Sequence, residues 1–179
     1  MVAQALRLGL ALVVAVSAAA ATLEKLALED MVRKSTEIVR GRVVSSSVIR
    51  RGAVIFTVAT VSVAERWKGP EARSVTVYVP GGSLDGQRQT FPGAPELVSG
   101  SEYVLFLWTG PSRMTQILGF SQGLMDLKTD EQGRLVVARE ASEENTLLDA
   151  KTRRFTTDSG FSKPLDQLRE QVRRLVASE

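Results

Sequence analysis

A chain of 179 residues with a formal net charge of +3 contains no histidine and no cysteine. These absences exclude a disulfide framework, a thiolate metal site, a cysteine nucleophile and any Ser-His-Asp arrangement, and they remove the usual general base near neutral pH. The hydrophobic share of 44% and charged share of 24% suit one folded domain with its own core, while the basic residues fall in short separate pairs such as Arg50-Arg51 and Arg173-Arg174 rather than in the concentrated stripe that nucleic acid requires.

The first segment reads as an address. Arg7 precedes an apolar run, Leu8 to Val16, and small residues follow from Ser17 to Ala21. That order is the pattern of a secretory signal, residues 1–21. The run is short for a membrane span, which takes about 20 apolar residues. An uncleaved anchor helix is the alternative. The expectation is export to a periplasm or beyond the cell, by a chain whose packed core must hold it without disulfides.

Leu23 to Lys34 predicts a short helix, with Leu23, Leu26, Ala27 and Met31 near one face. Ile38 to Ser46 is rich in β-branched residues and predicts a strand with Gly41 inside it. Val54 to Trp67 predicts a longer strand. Its apolar parity switches near Ala59-Thr60, as in a strand that is bulged or strongly coiled. Lys68-Gly69-Pro70 is a turn, and Ser74 to Val79 alternates cleanly, with Val75, Val77 and Val79 directed inward. Residues 82–101 read as a long polar loop. Tyr103 to Trp108 is a continuous apolar run, the mark of a strand covered on both faces. Gln116–Phe120 and Leu124–Leu127 predict short strands, and Asp130-Glu131-Gln132-Gly133 predicts a hairpin turn into Arg134–Ala138. Residues 139–161 read as a polar connection. Residues 162–179 predict a C-terminal helix, capped by Ser162 with Pro164 in its first turn and Leu165, Leu168, Val172 and Leu175 on one face.

Together these elements predict a mainly β, α+β architecture: a small antiparallel barrel of about five or six strands, of the oligonucleotide/oligosaccharide-binding-like type, over residues 22–138, with both terminal helices packed on it. An open β-sandwich is the alternative. The stretch from Leu28 to Val43, with Trp67-Lys68-Gly69, Pro80-Gly81-Gly82, Gly100 to Leu107 and Gly119 to Gly123, resembles a group of uncharacterised exported bacterial proteins. The order of helix, Ile-Val-x-Gly-x-Val strand and long coiled strand is similar to the barrel of netrin-like domains and tissue inhibitors of metalloproteinases. The resemblance implies a fold. It carries no inhibitory mechanism, because those inhibitors chelate their target's zinc through an N-terminal cysteine that nothing here matches.

Candidate sites are sparse. The glycines Gly81, Gly82 and Gly86 lack phosphate-loop spacing, and Asp126, Asp130 and Glu131 lack the spacing of a calcium loop. No metal or cofactor is expected. Trp67, Tyr78 and Trp108 are the aromatic anchors to consider, with Trp67 half exposed at a strand end and Trp108 in the core. With the loop residues Asp85, Arg88, Phe91 and Glu96, Trp67 and Tyr78 make the expected binding set. The expected function is a monomeric, non-enzymatic module that binds a protein or a glycan. A hydrolase built on paired carboxylates and a membrane-surface protein using the C-terminal helix are the alternatives.

Overall fold

The computed structural model describes residues 22–141, 146–149 and 152–179, so the expected signal segment lies outside the described residues. In chain order these form β1 (Thr22–Glu24), α1 (Leu28–Lys34), β2 (Glu37–Arg51), β3 (Val54–Lys68), β4 (Ser74–Pro80), β5 (Gly82–Leu84) and β6 (Gln87–Gln89). There follow β7 (Glu102–Thr109), β8 (Thr115–Ile117), a 3-10 turn at Phe120–Gly123, β9 (Leu124–Thr129), β10 (Leu135–Arg139), β11 (Thr146–Asp149), β12 (Arg154–Thr156), β13 (Phe161–Pro164) and α2 (Leu165–Ala177).

The main sheet is eight-stranded, in the order β13-β10-β9-β7-β2-β3-β4 with β8 added on β7. Every pairing in it is antiparallel. It curls so that β4 and β8 approach each other, but no ladder joins them. The expected closed barrel of five or six strands is therefore corrected to a larger sheet with an open seam. Closure needs strand tilt and stagger that agree all the way round. Here β8 pairs with β7 and not with β4, which leaves the seam open.

Two cores lie on the two faces of the sheet. Inside the curl, Val39, Val43, Ala59, Val61, Val75, Val77, Val79, Leu97, Tyr103, Leu105, Leu107 and Ile117 pack together. On the outer face, Ile38, Trp67, Val104, Phe106, Met125 and Val137 pack beneath Met31 and Val32 of α1 and Leu165, Leu168 and Val172 of α2. The five residues from Tyr103 to Leu107 are all buried, as the apolar run predicts. Helix α2 docks with its apolar stripe inward, so the membrane-surface alternative loses the free apolar face it requires. Among the described residues no helix is long and apolar enough to cross a membrane.

Pairing of β2 with β3 is interrupted at three register shifts, which leave Val44, Ala64 and Trp67 as extra residues. Each extra residue reverses which face the following side chains occupy. The bulge at Ala64 turns Glu65 and Trp67 away from the inner core and toward α2. Gly41 sits where the strands close up: a Cβ there would lie 2.4 Å from the Ser62 carbonyl oxygen and 2.7 Å from a Val61 methyl.

Four further expectations are corrected. The N-terminal helix starts at Leu28, because Thr22–Glu24 pairs in parallel with β11 in a small sheet, β1-β11-β12. Gln122 holds that segment in place: its side-chain oxygen accepts from the Leu26 amide at 2.9 Å, and its amide nitrogen donates to the Glu24 carbonyl at 2.9 Å. Part of the polar connection is thus strand, and its Asp158 is buried in an ion pair with Arg139. Residues 82–101 contain the β5–β6 hairpin, whose turn residues Asp85 and Gly86 have φ of 51° and 74°. An Asp-Gly pair with both φ positive is the hairpin turn that matches strand twist. Finally, Ser162 lies within β13, and Pro164 occupies the N-cap of α2 without a side-chain cap.

Replacing Gly41 with alanine is expected to lower stability by roughly 2 kcal/mol, since two backbones must part to admit one methyl. Urea unfolding measures this. An unchanged midpoint would mean that the strands are not so closely apposed.

Candidate functional site

The densest set of ion pairs centres on Glu65. This residue accepts from Arg169 Nε at 2.7 Å and Nη2 at 2.8 Å, from Arg40 Nη1 at 2.8 Å, and from the Trp67 indole at 3.2 Å. Arg40 also donates to Glu102 at 2.6 Å, and Glu102 is paired with Arg42. Partial burial pushes the Glu65 carboxyl up, but hydrogen bonds from Arg169, Trp67 and Arg40, with the charge of Arg169, outweigh it and bring the group to about 2. Such a carboxylate stays ionised and holds α2 against the sheet. It is not available to cycle a proton near neutral pH. No group of three or more Asp and Glu side chains gathers in a metal-holding arrangement among the described residues.

A recess with open polar groups lies apart from Glu65, beside the β2–β3 hairpin. It has a volume of about 420 Å³. Its floor is Ser46 of β2 and Thr57 of β3, and one wall runs from Val79 to Gly82. The other wall is β6, which contributes Arg88, and the segment after it, which contributes Phe91, Glu96 and Leu97. The walls are fixed by short bonds. The Gly81 amide donates to the Ile55 carbonyl at 2.8 Å, and Thr57 Oγ1 donates to the Gly81 carbonyl at 2.9 Å. Gln89 clamps β6 onto the β2–β3 turn, accepting from the Ile55 amide at 2.7 Å and donating to the Ala53 carbonyl at 2.8 Å. Leu97 is buried in the inner core, and the Val98 amide donates to the Tyr103 hydroxyl at 3.1 Å. The long segment is therefore anchored at its middle and again before β7.

Of the six expected binding residues, the fold brings three together. Arg88, Phe91 and Glu96 line the cleft, and neither Arg88 nor Glu96 forms an ion pair among the described residues. Tyr78 is half-buried, edge-on to Phe56 at 6.4 Å, and lines a smaller recess of about 70 Å³ in the seam between β4 and β8. Asp85 stands exposed at the β5–β6 turn. Trp67 is only 6% exposed and packs under the helices, whereas Trp108 is 41% exposed. The expected exposures of the two tryptophans are thus reversed: the bulge at Ala64 turns Trp67 to the outer face, where the helices cover it.

Sequence reasoning missed Ser46, Thr57, Gln116 and Phe120 as lining residues. Ser46 and Thr57 carry no local signal, since only the pairing of β2 with β3 sets them side by side. Phe120 has φ of 57°, in a region that bulky residues rarely adopt, and it lines the seam recess beside Tyr78. No family model matches the chain, and no curated protein is significantly similar to it in sequence.

Changing Glu65 to glutamine is expected to lower stability by roughly 2 kcal/mol, because Arg40 and Arg169 then converge on a neutral group. The folded pKa of Glu65 lies below its unfolded value of about 4.5, so its contribution is full above that pH and is lost as pH falls toward 2. Thermal unfolding between pH 7 and pH 2 compares the two proteins. The difference between them narrows at the acid end, and a gap independent of pH would contradict the assignment.

Proposed function

We propose that the protein is an exported, monomeric, non-enzymatic binding module that takes a protein or glycan ligand in the cell envelope or outside it. The observation that carries this reading is the cleft that gathers Arg88, Phe91 and Glu96 on a pinned wall. Recesses that combine an apolar face with a few convergent polar groups are the usual ligand sites. A cation, an anion and an aromatic ring, with no ion pair among the described residues, leave their interactions open to a ligand. The carboxylate-hydrolase alternative gains nothing from Glu65 and Glu102, because arginines neutralise them. We extend the reading to a relaxed form of the barrel seen in netrin-like domains, on the order of helix, Ile-Val-x-Gly-x-Val strand and long coiled strand alone.

The cleft is tested with glycan and peptide arrays probed by residues 22–179 and by the Arg88→Ala, Phe91→Ala and Glu96→Gln variants. Ligands captured by the parent are expected to weaken about tenfold or more in Phe91→Ala, the scale of a buried aromatic contact. Ligands indifferent to all three changes, or turnover of an arrayed substrate, would reject the reading. The export half rests on residues 1–21. Fused ahead of a reporter active only outside the cytoplasm, they are expected to confer activity, and substituting Leu10 and Val13 with arginine is expected to abolish it.

A further inference from the structure

Strand β2 is longer than its neighbour. β7 pairs with β2 from Glu37 to Arg42, and the last bonds between these chains are the Val43 amide to the Ser101 carbonyl at 3.0 Å and the Gly100 amide to the Val43 carbonyl at 2.8 Å. Beyond that point β2 continues to Arg51, paired only with β3. The pairing pattern says which backbone groups this leaves open. Ile55 directs its amide and carbonyl away from β2, to Gln89 and Gly81. Its partner Arg50 is therefore in a non-hydrogen-bonded pair, and so, by alternation, are Val48 opposite Thr57 and Ser46 opposite Ala59. On β2 these three residues must point their N–H and C=O groups outward. The bulge at Val44 creates this phase: without the extra residue, Ser45 and Ser47 would face out.

We propose that this edge, Ser46 to Arg50, is a strand-addition site for an extended acidic segment of a partner protein. The proposal rests on the binding-module reading and names the partner's chemistry. An open strand edge is a template for another chain: main-chain bonds supply affinity, and alternate side chains supply choice. Edges not meant for pairing are commonly protected by proline, by inward-pointing charge or by brevity. From Ser45 to Ile49 this edge carries only serine, valine and isoleucine. Charge selects the partner. Arg50 and Arg51 close the edge, and neither forms an ion pair among the described residues; Arg50 donates only to the neutral side chain of Gln87 at 2.7 Å. Carboxylates on the added strand would meet them. The cleft lies on the same side: Ser46 forms part of its floor, so an added side chain opposite Ser46 faces the recess holding Arg88, Phe91 and Glu96. Two exposed apolar residues, Val44 and Val98, flank the point where β7 departs and give the added chain an apolar step at its start.

The probes are three fluorescein-labelled octapeptides, alternating Thr-Glu, Thr-Gln and Thr-Lys, with a fourth Thr-Glu peptide fully N-methylated. Fluorescence anisotropy at low salt is expected to rank Glu above Gln above Lys, with at least about tenfold between the extremes. N-methylation, which removes every main-chain donor, is expected to abolish binding. Ser46→Pro removes one outward N–H and no bond to β3, a change that edge strands tolerate, and it is expected to weaken binding about tenfold. Arg50→Glu with Arg51→Glu is expected to reverse the preference toward lysine. Equal binding of the N-methylated peptide, an unchanged ranking in the double variant, or no binding up to about 1 mM overturns the proposal. A dimer that sedimentation detects and Ser46→Pro dissolves would assign the edge to a second copy, and likewise overturns it. If array ligands of the cleft are lost in Phe91→Ala while the peptide results fail, the binding-module reading stands and only the edge assignment falls.

Discussion

The alternation of side chains along β2 and β7 is the constraint on which the rest of the structure depends. β7 sends Tyr103, Leu105 and Leu107 into the curl and Val104 and Phe106 under the helices. β2 sends Val39 and Val43 one way and Ile38 the other. A strand repeats every two residues, so a slip of one would empty both cores together. Many antiparallel sheets keep one wet face, and their register then rests on a single core. Here both faces are covered. Burying a Leu or Phe side chain stabilises by about 1.5–3 kcal/mol, so the five consecutive buried residues of β7 make this register the most strongly specified feature of the fold. A chain with no cysteine has no disulfide to do that work.

The bulges are the controlled exceptions to that alternation. At Ala64 the extra residue delivers Glu65 and Trp67 to the helix side, and Arg169 of α2 meets Glu65 there. Core packing alone would let α2 rotate or slide about its apolar stripe. The two-pronged bond from Arg169 sets its position along the sheet, because planar pairing of this kind is sensitive to geometry as well as to charge. At Val44 the extra residue has the opposite use. It re-phases β2 just where β7 leaves, so that Ser46, Val48 and Arg50, rather than Ser45 and Ser47, present their bonding groups outward, beside the cleft.

Much of this was legible in the residues, and the limits have physical reasons. Periodicity and run length identified β4, β7 and the buried face of α2 because each reports its own burial. The parity change in Val54–Trp67 signalled irregular pairing, but not its place: the register shifts at Ala64 and Val44 depend on which residues stand opposite. That dependence also explains the two tryptophans, since no local pattern reveals that Trp67 lies beyond a bulge. The strands β1, β11 and β12 escaped notice because they are only three or four residues long and β1 meets β11 in parallel, far away in sequence. Asp85-Gly86 was a readable hairpin signal whose flanks, Gly-Ser-Leu and Gln-Arg-Gln, lack the apolar alternation that would have marked strands. Ser162 resembled a cap because local sequence cannot show that β10 claims it for a strand.

The candidate site was half legible for a related reason. Loop composition led to Arg88, Phe91 and Glu96, but their shared recess depends on β2 and β3 supplying its floor. Charged residues in this protein divide by whether the fold supplies their counterions. Glu65, Glu102, Arg40 and Arg169 satisfy one another and fix helix to sheet. Arg50, Arg51, Arg88 and Glu96 form no ion pair among the described residues, and they lie around the one stretch where β2 outruns β7. A surface charge is ordinarily satisfied by water and needs no explanation. Four such charges beside an open strand edge and a pinned recess differ in one respect: a ligand seated there would displace that water from all of them at once. The departure of β7 at Val43 therefore accounts for both the recess and the edge, which makes them two parts of one surface.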